Sequence, residues 1–507
     1  MKYYLGIDIG TFESKGVLVD ANGEIVASAT RAHKMLVPQP GFAEHRPRED
    51  WWGGFTDLSR KLLVASGVAP SSIAAVGTSA IGPCMLPVDA QGEPLMNGVL
   101  YGVDTRAAQE IGELTTRIGE DLLLDRCGNA LTSQSVGPKI LWLRRNRPDL
   151  FAKTHRILTS TSYIVHRLTG RYVVDYYTAA NSSPLFRVDQ LTWSDELADD
   201  IIPLERMPDL AWTTDIAGGV TEEAADETGL TPHTPVIVGT IDAAAEALSV
   251  GVLNSGDMML MYGSTIFIVM LTEERIRDPR LWYAPWLFPG QHASMSGLAT
   301  SGTLTHWFRD ELARDLDPAI AFQALAREAE ASPPGAKGVV VLPYFSGERT
   351  PIHDPAAKGV IFGLNLTHGR GDLYRGVLEG IACGTRHIID TYREVGYDPR
   401  AVFAVGGGTK NQVWGQATSD LSACTQFIRA KTVGASYGDA FLAALAIGDV
   451  QRDTIRRWNP LASEFNPNPA TKEIYERQYA VFRNLYPRTR ELMLLIGGGA
   501  PTLLNRP

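Results

Sequence analysis

Four short stretches of this 507-residue chain hold residue types that can do chemistry together. Nearest the start is Asp8-Ile9-Gly10-Thr11, where an apolar run ends in a carboxylate, a glycine and a hydroxyl, and a second apolar run follows at once. A glycine in a tight turn lets backbone N–H groups approach phosphate oxygens with no side chain in the way. Thr11 adds a hydroxyl donor, and Asp8, at a strand end, can hold Mg²⁺ through water. The same residues also make an ordinary hairpin turn, and they are not the P-loop, since no G-x-x-x-x-G-K-[ST] occurs. Gly263-Ser264-Thr265 is a second cradle of small residues and hydroxyls. Alone it is uninformative, but two such turns on opposite lobes can clamp a β- and a γ-phosphate.

The third stretch runs from Ala404 to Asn411, where a strand meets Gly406, Gly407 and Gly408 and a helix then starts. A flat base or ribose can lie on such bare backbone, and the helix N-terminus faces negative charge. A tight strand-to-helix turn reads equally well, and the dinucleotide pattern G-x-G-x-x-G is absent. The fourth is Gly239-Thr240-Ile241-Asp242, where a strand ends in a carboxylate at a helix start. Asp242 is either a first-turn acid of that helix or a general base that takes a proton from a hydroxyl. An aspartate is base enough for phosphoryl transfer, which asks more for alignment and charge stabilisation.

These residues need strands to present them. Tyr3 to Asp8, Gly16 to Asp20 and Glu24 to Ala32 read as strands, and Arg48 to Ser66 as a helix with Trp51, Phe55, Leu58 and Leu62 on one face. Ile73 to Ser79 and Met85 to Val88 are short strands; Gly137 to Arg145 and Ser162 to Leu168 are helical. The pattern restarts near Pro232: a strand from Pro235, an Ala-rich helix from Asp242 to Ser249, then two strands around Tyr262-Gly-Ser-Thr. Asp372 to Arg393, Lys410 to Leu421 and the Ala-rich Tyr437 to Ile447 are predicted helices, and an amphipathic helix from about Thr471 to Leu495 precedes a frayed tail. The Tyr437 helix is small enough on all sides to pack closely against a neighbour. Two halves, each with a phosphate-compatible turn between strands, predict a bilobal α/β protein with its site in the cleft and a boundary between Gly239 and Gly251.

Composition narrows the classes. The chain is 44% hydrophobic and 21% charged, with a formal net charge of -10. That balance, without a basic block, argues against a nucleic-acid partner. Cys84, Cys127, Cys383 and Cys424 are far apart and form no C-x-x-C pair, which predicts buried, reduced thiols in a cytoplasmic protein. Asp8 interrupts the short apolar start, so no signal peptide is expected, and no apolar run is long enough to predict a membrane span.

In this order, Asp8-Ile-Gly-Thr, Thr240-Ile-Asp242, Gly263-Ser-Thr and Gly406-Gly-Gly resemble the FGGY carbohydrate kinases of the actin–hexokinase–Hsp70 superfamily. The stretch from Gly41 to Trp52 is similar to that family's G-W-x-E-x-x-P-x-x-W-W, and Pro138 to Arg145 to its K-x-x-W-L segment. Pro343 to Pro351 and Lys358 to Leu364 resemble most the xylulose kinase branch. The resemblance covers the chain to about Tyr486. It implies two ribonuclease-H-like α/β lobes: 1–245 on the sugar and phosphate side, 246–460 on the nucleotide side, then a C-terminal helix and tail over 461–507. It also implies Mg²⁺-ATP-dependent phosphorylation of a sugar hydroxyl.

By the same resemblance Asp8 organises Mg²⁺, Gly10 and Thr11 meet the transferring phosphate, and Asp242 is the general base. Gly263, Ser264 and Thr265 sit by the nucleotide phosphates and Gly302 lines the nucleotide pocket, while Gly406, Gly407 and Asn411 hold the adenosine end. Gly82 and Pro83 fall on the sugar side, and Asp104 matches the family's W-x-D-x-R position, where it serves either the sugar or an Asp–Arg structural pair. Two departures stand out. Xylulose kinases carry G-Q-M-H-G where this chain has Ala80-Ile-Gly-Pro-Cys84, and the tryptophan expected ahead of Asp104 is replaced by Tyr101 or Gly102. Glycerol kinases place Arg-Glu at Gly82-Pro83, which disfavours glycerol. The expected substrate is therefore a ketose, with a pentulose such as xylulose first and a polyol, hexulose or linear signalling molecule as alternative. An ATPase of the actin or Hsp70 kind acting on no sugar is the remote alternative. Homodimers are common in the family, although no segment here requires one.

Overall fold

The computed structural model describes residues 1–496, so the tail expected after the last helix lies outside the described residues. The chain forms two compact α/β units, each assembled from separate stretches. The first comprises Met1–Ser255, Leu271–Ser294 and Val433–Pro460; the second takes Gly256–Met270, Met295–Thr432 and the chain from Leu461 on.

In the first unit the strands run in the order Ile216–Gly219, Pro235–Ile237, Ile73–Ala80, Tyr3–Ile9, Glu13–Asp20 and Ile25–Ala32. Tyr3–Ile9 forms a hairpin with Glu13–Asp20 and lies parallel to Ile73–Ala80. It is buried almost throughout, as a central strand covered on both faces must be. The short strand Thr240–Ile241 also pairs in parallel with Ile73–Ala80, Thr240 opposite Ser79. Three parallel strands thus end at one edge of the sheet.

One face of that sheet meets the helix Ala435–Ala446 at unusually close range. Gly6 and Gly77 are register partners on adjacent strands. A Cβ on Gly6 would overlap the Ser436 carbonyl oxygen, and one on Gly77 the Asp439 carbonyl oxygen. On the helix itself, a Cβ at Gly438 would overlap the carbonyl oxygen of Ala245, on the helix Asp242–Ser249. Glycine is what lets two backbones approach this far. The close packing expected of this Ala-rich helix is therefore observed, and its neighbours are a sheet and a second helix.

The second unit repeats the plan. Asp257–Tyr262 forms a hairpin with Ile266–Thr272 and lies parallel to Ala401–Val405. Gln426–Arg429 and Leu461–Phe465 extend the sheet beyond Ala401–Val405. The closing helix Lys472–Ile496 packs Tyr475, Tyr479 and Phe482 into a core with Leu342 and Tyr344.

Two expected elements differ. The helix read from Arg48 begins at Pro47, and its first six residues, Pro47–Trp52, coil in wider π-type turns before the α-helix Gly53–Ser66. Here the Asp50 carboxylate folds back to accept from the Arg46 backbone N–H and guanidinium. Met85 is no part of the strand Leu86–Val88 and makes an isolated bridge to Val99 instead. All four cysteines are free and buried, and no helix among the described residues is long and apolar enough to cross a membrane.

Candidate active site

Parallel pairing brings the acids of the first unit together. Asp8 stands opposite Ser79, and Ser79 opposite Thr240, two residues before Asp242. The Ser79 hydroxyl lies 3.1 Å from Asp8 Oδ1 and 2.7 Å from Oδ2 of Asp439, which the close-packed helix delivers to the same spot. Asp242 opens its helix, its Oδ1 accepting from the Ala243 backbone N–H at 2.7 Å. The strand before it is held twice: Thr240 Oγ1 donates to the buried Asp175 carboxylate, and Thr161 Oγ1 donates to the Thr240 carbonyl.

Burial dominates the electrostatics. It pushes Asp242 up to about 6. Burial first, and then the Asp242 charge, raise Asp8 well above the usual carboxylate range and bring Glu246 to about 7. Asp439 is fully buried and raised too, by burial and then by Asp8, and its Oδ1 has no hydrogen-bond partner. Four acids gathered this closely repel further negative charge, so a phosphate approaching them requires a cation. Among the described residues no set of three or more His, Cys, Asp or Glu is arranged to ligate a metal directly. One or two carboxylates, with water and phosphate completing the shell, are what Mg²⁺ takes. Asp8 beside Asp242 fits that role.

The Gly10–Thr11 turn is pinned from several sides. Gly10 N–H donates to the Glu13 carbonyl at 3.2 Å. The Gly10 carbonyl lies 2.8 Å from His33 Nε2, and Thr11 Oγ1 lies 3.0 Å from the Tyr101 hydroxyl. His33 carries no motif, and Tyr101 stood out only as a replacement for the family's tryptophan, so both contacts had to come from the structure. Ser79, Glu246 and Asp439 were missed likewise. Asp439 alone left a trace, a carboxylate inside an otherwise apolar, Ala-rich helix.

Of the residues expected on the sugar side, Gly82 lies against Ile241, the residue before Asp242; a Cβ there would stand 2.7 Å from Ile241 Cγ1. Pro83 is buried beside it. Asp104 is fully buried and committed: it takes the Arg106 guanidinium through both oxygens and the Ala43 N–H at 2.7 Å. Arg106 also pairs with Glu44 at 2.8 Å and lies over the Phe42 ring. Of the two roles open to Asp104 from the sequence, these contacts are those of the Asp–Arg pair.

The second unit gathers its own turns. The carbonyls of Gly263 and Ser264 accept from the Gly302, Ser301 and Thr303 backbone N–H groups at 3.0–3.1 Å. The close fit admits no side chain at Gly302, whose Cβ would stand 2.5 Å from the Gly263 oxygen. Thr265 closes the hairpin, its carbonyl accepting from Gly263 N–H at 3.1 Å. Gly406, at φ +91°, ends the parallel strand directly against Tyr262, where a Cβ would lie 2.6 Å from the Tyr262 oxygen. Gly406 and Gly407 are exposed, and Asn411 Oδ1 caps the helix Gln412–Ser422 by accepting from Trp414 N–H.

Comparison with known proteins agrees with this geometry. Residues 3–249 match the N-terminal domain, and residues 258–447 the C-terminal domain, of the FGGY family of carbohydrate kinases. The chain is 30% identical to the xylulose kinase of Escherichia coli, over 97% of this chain and 100% of that one. It is 29% identical to the Bacillus subtilis xylulose kinase, over 97% and 98%. The crystal structure of xylulose kinase from Rhodospirillum rubrum superimposes with a TM-score of 0.91 at 31% identity, covering 97% of this chain and 100% of that one. Two family domains in sequence and full-length relatives at this identity lead to one conclusion: this chain belongs to the FGGY family of carbohydrate kinases.

Proposed function

We propose that the protein is a Mg²⁺-ATP-dependent kinase of a ketose, with a pentulose such as xylulose as its substrate. The observation that carries this reading is the meeting of Asp8, Ser79 and Asp242 at the ends of three parallel strands, beside the Gly10–Thr11 turn. The full-length relatives named xylulose kinases support the choice of sugar. Asp242 accepts the proton of the attacking sugar hydroxyl. Gly10, with no side chain in the way, lets the transferring phosphoryl group come close to the turn, the Thr11 hydroxyl meets its oxygens, and Asp8 holds the metal through water. Bound Mg²⁺ supplies charge neutralisation between donor phosphates and this acidic floor. In the second unit, Gly263, Ser264, Thr265 and Gly302 present backbone and hydroxyl groups to the nucleotide phosphates, and Gly406, Gly407 and Asn411 border the adenosine. Gly82 and Pro83 border the sugar with backbone groups only.

That last feature favours a second reading within the same chemistry. A site wall with no charged or polar side chain at positions 82 and 83 also suits a hexulose or polyol. The discriminating experiment is ADP release with Mg²⁺-ATP over a panel of pentuloses, hexuloses, polyols and glycerol. A strong response to one ketose is expected, and D242N should lower that turnover on the order of 10²–10⁴-fold while ATP binding stays near native. Near-native turnover in D242N would sink the assignment of the base.

A further inference from the structure

We propose that the Tyr101 hydroxyl donates to Thr11 Oγ1 and thereby fixes the Thr11 hydroxyl as a donor toward the transferring phosphoryl group; this rests on the reading of Thr11 given above. The two oxygens are 3.0 Å apart. Each carries one hydrogen, so only one of them donates across the contact. A phenol is the more acidic of the two hydroxyls and the better donor. With Tyr101 filling a lone pair on Thr11 Oγ1, the Thr11 hydrogen is free to turn to a phosphate oxygen. Without it, that rotor is unconstrained and its hydrogen is shared with water.

The structure holds Tyr101 firmly enough for this task. The buried Lys139 ammonium donates to the carbonyls of Leu100 at 2.5 Å and Tyr101 at 3.1 Å. On the other side, Gln134 Oε1 accepts from Gly102 N–H at 3.1 Å, and Ser133 Oγ donates to the Gly102 carbonyl at 2.8 Å. Gln134 also occupies the space a side chain at position 102 would take: a Cβ there would lie 2.8 Å from its amide nitrogen. The ring of Tyr101 therefore projects from a backbone tied on both flanks, and its far end meets the phosphate turn. Tyr101 is a positioning residue. It acts on the phosphoryl group through Thr11, and it links the loop on the sugar side to that turn.

A double-mutant cycle on the full-length enzyme tests this. Y101F should lower kcat about three- to tenfold, the range one hydrogen bond supplies, with the sugar KM unchanged. T11A should lower kcat further, and T11A/Y101F should be no worse than T11A alone. In a T11S background, which keeps the hydroxyl, Y101F should cost the same factor as in the native enzyme. Equal losses from Y101F in the native and T11A backgrounds, or a change confined to the sugar KM, would overturn the coupling. Should the phenylalanine variant fold poorly, 3-fluorotyrosine at position 101 keeps the shape and strengthens the phenol as a donor. It should shift kcat with Thr11 present and leave it unchanged in T11A, and equal shifts in both would refute the proposal. Native ATP kinetics in T11A would instead remove the phosphate role of Thr11 itself, a failure of the underlying reading.

Discussion

To act as the proposed base, Asp242 must be ionised, yet burial holds its carboxyl up at about 6. A raised carboxyl is protonated, and useless as a base, over a wider range of acid pH than an exposed one. The sign follows directly: kcat/KM should be level above neutrality and fall as pH drops through about 6, with the limb absent from the residual activity of D242N. A flat profile down to pH 5 would show that the base is not this residue. Part of this chemistry was legible in the sequence. Asp8, Gly10, Thr11 and Asp242 announce themselves because small and acidic residues sit at the ends of apolar runs. Ser79 and Asp439 share a hydrogen bond across 360 positions, and Tyr101 and Thr11 across 90. No local pattern encodes such meetings; they come from strand register and helix docking.

At the scale of elements, nearly every strand and helix near the site followed from periodicity and turn residues, because each is a short apolar run closed by Gly, Asp or Asn. One departure comes where the Asp50 carboxylate accepts from the Arg46 backbone N–H at the wide turns of Pro47–Trp52. The glycine contact under the helix Ala435–Ala446 gives a direct test. G77A drives a methyl into the Asp439 carbonyl, and should destabilise the protein by about 1–3 kcal/mol or more in chemical unfolding. It should also cut turnover, because the displaced helix carries Asp439 to Ser79. G112A is the control: this helical glycine has open space around it, so alanine there should be neutral or stabilising by about 0.5–1 kcal/mol. Equal effects at the two positions would mean that the close approach is not what holds the helix.

For the molecule as a whole, the order of residues along the chain and their grouping in space differ. Val433–Pro460 belongs to the first unit, although the chain on both sides of it belongs to the second. Its helix buries Tyr437, Phe441, Leu442 and their alanine neighbours. A fragment of residues 1–255 should therefore lack a cooperative thermal transition and bind an apolar dye, and should gain the transition when residues 433–460 are fused to it. A sharp melt of 1–255 alone would refute this. The first unit's return to a late segment was not legible beforehand, because an Ala-rich helix reads the same whichever sheet it covers.

The same interleaving bears on how the protein is made. A ribosome delivers Tyr3–Ile9 and Ile73–Ala80 early, but the helix that covers Gly6 and Gly77 emerges last of all the pieces of that unit. At about 5–20 residues per second, the roughly 180 residues between Ser255 and Val433 take on the order of 10–35 s to translate. Throughout that interval the nascent chain has an apolar sheet face that none of its own residues can yet cover. Such a chain has reason to be held by a chaperone during synthesis. It also lacks Asp439 beside Asp8, so a half-made chain has an incomplete acid cluster, and the proposed phosphate site is finished only once the helix Ala435–Ala446 has been made.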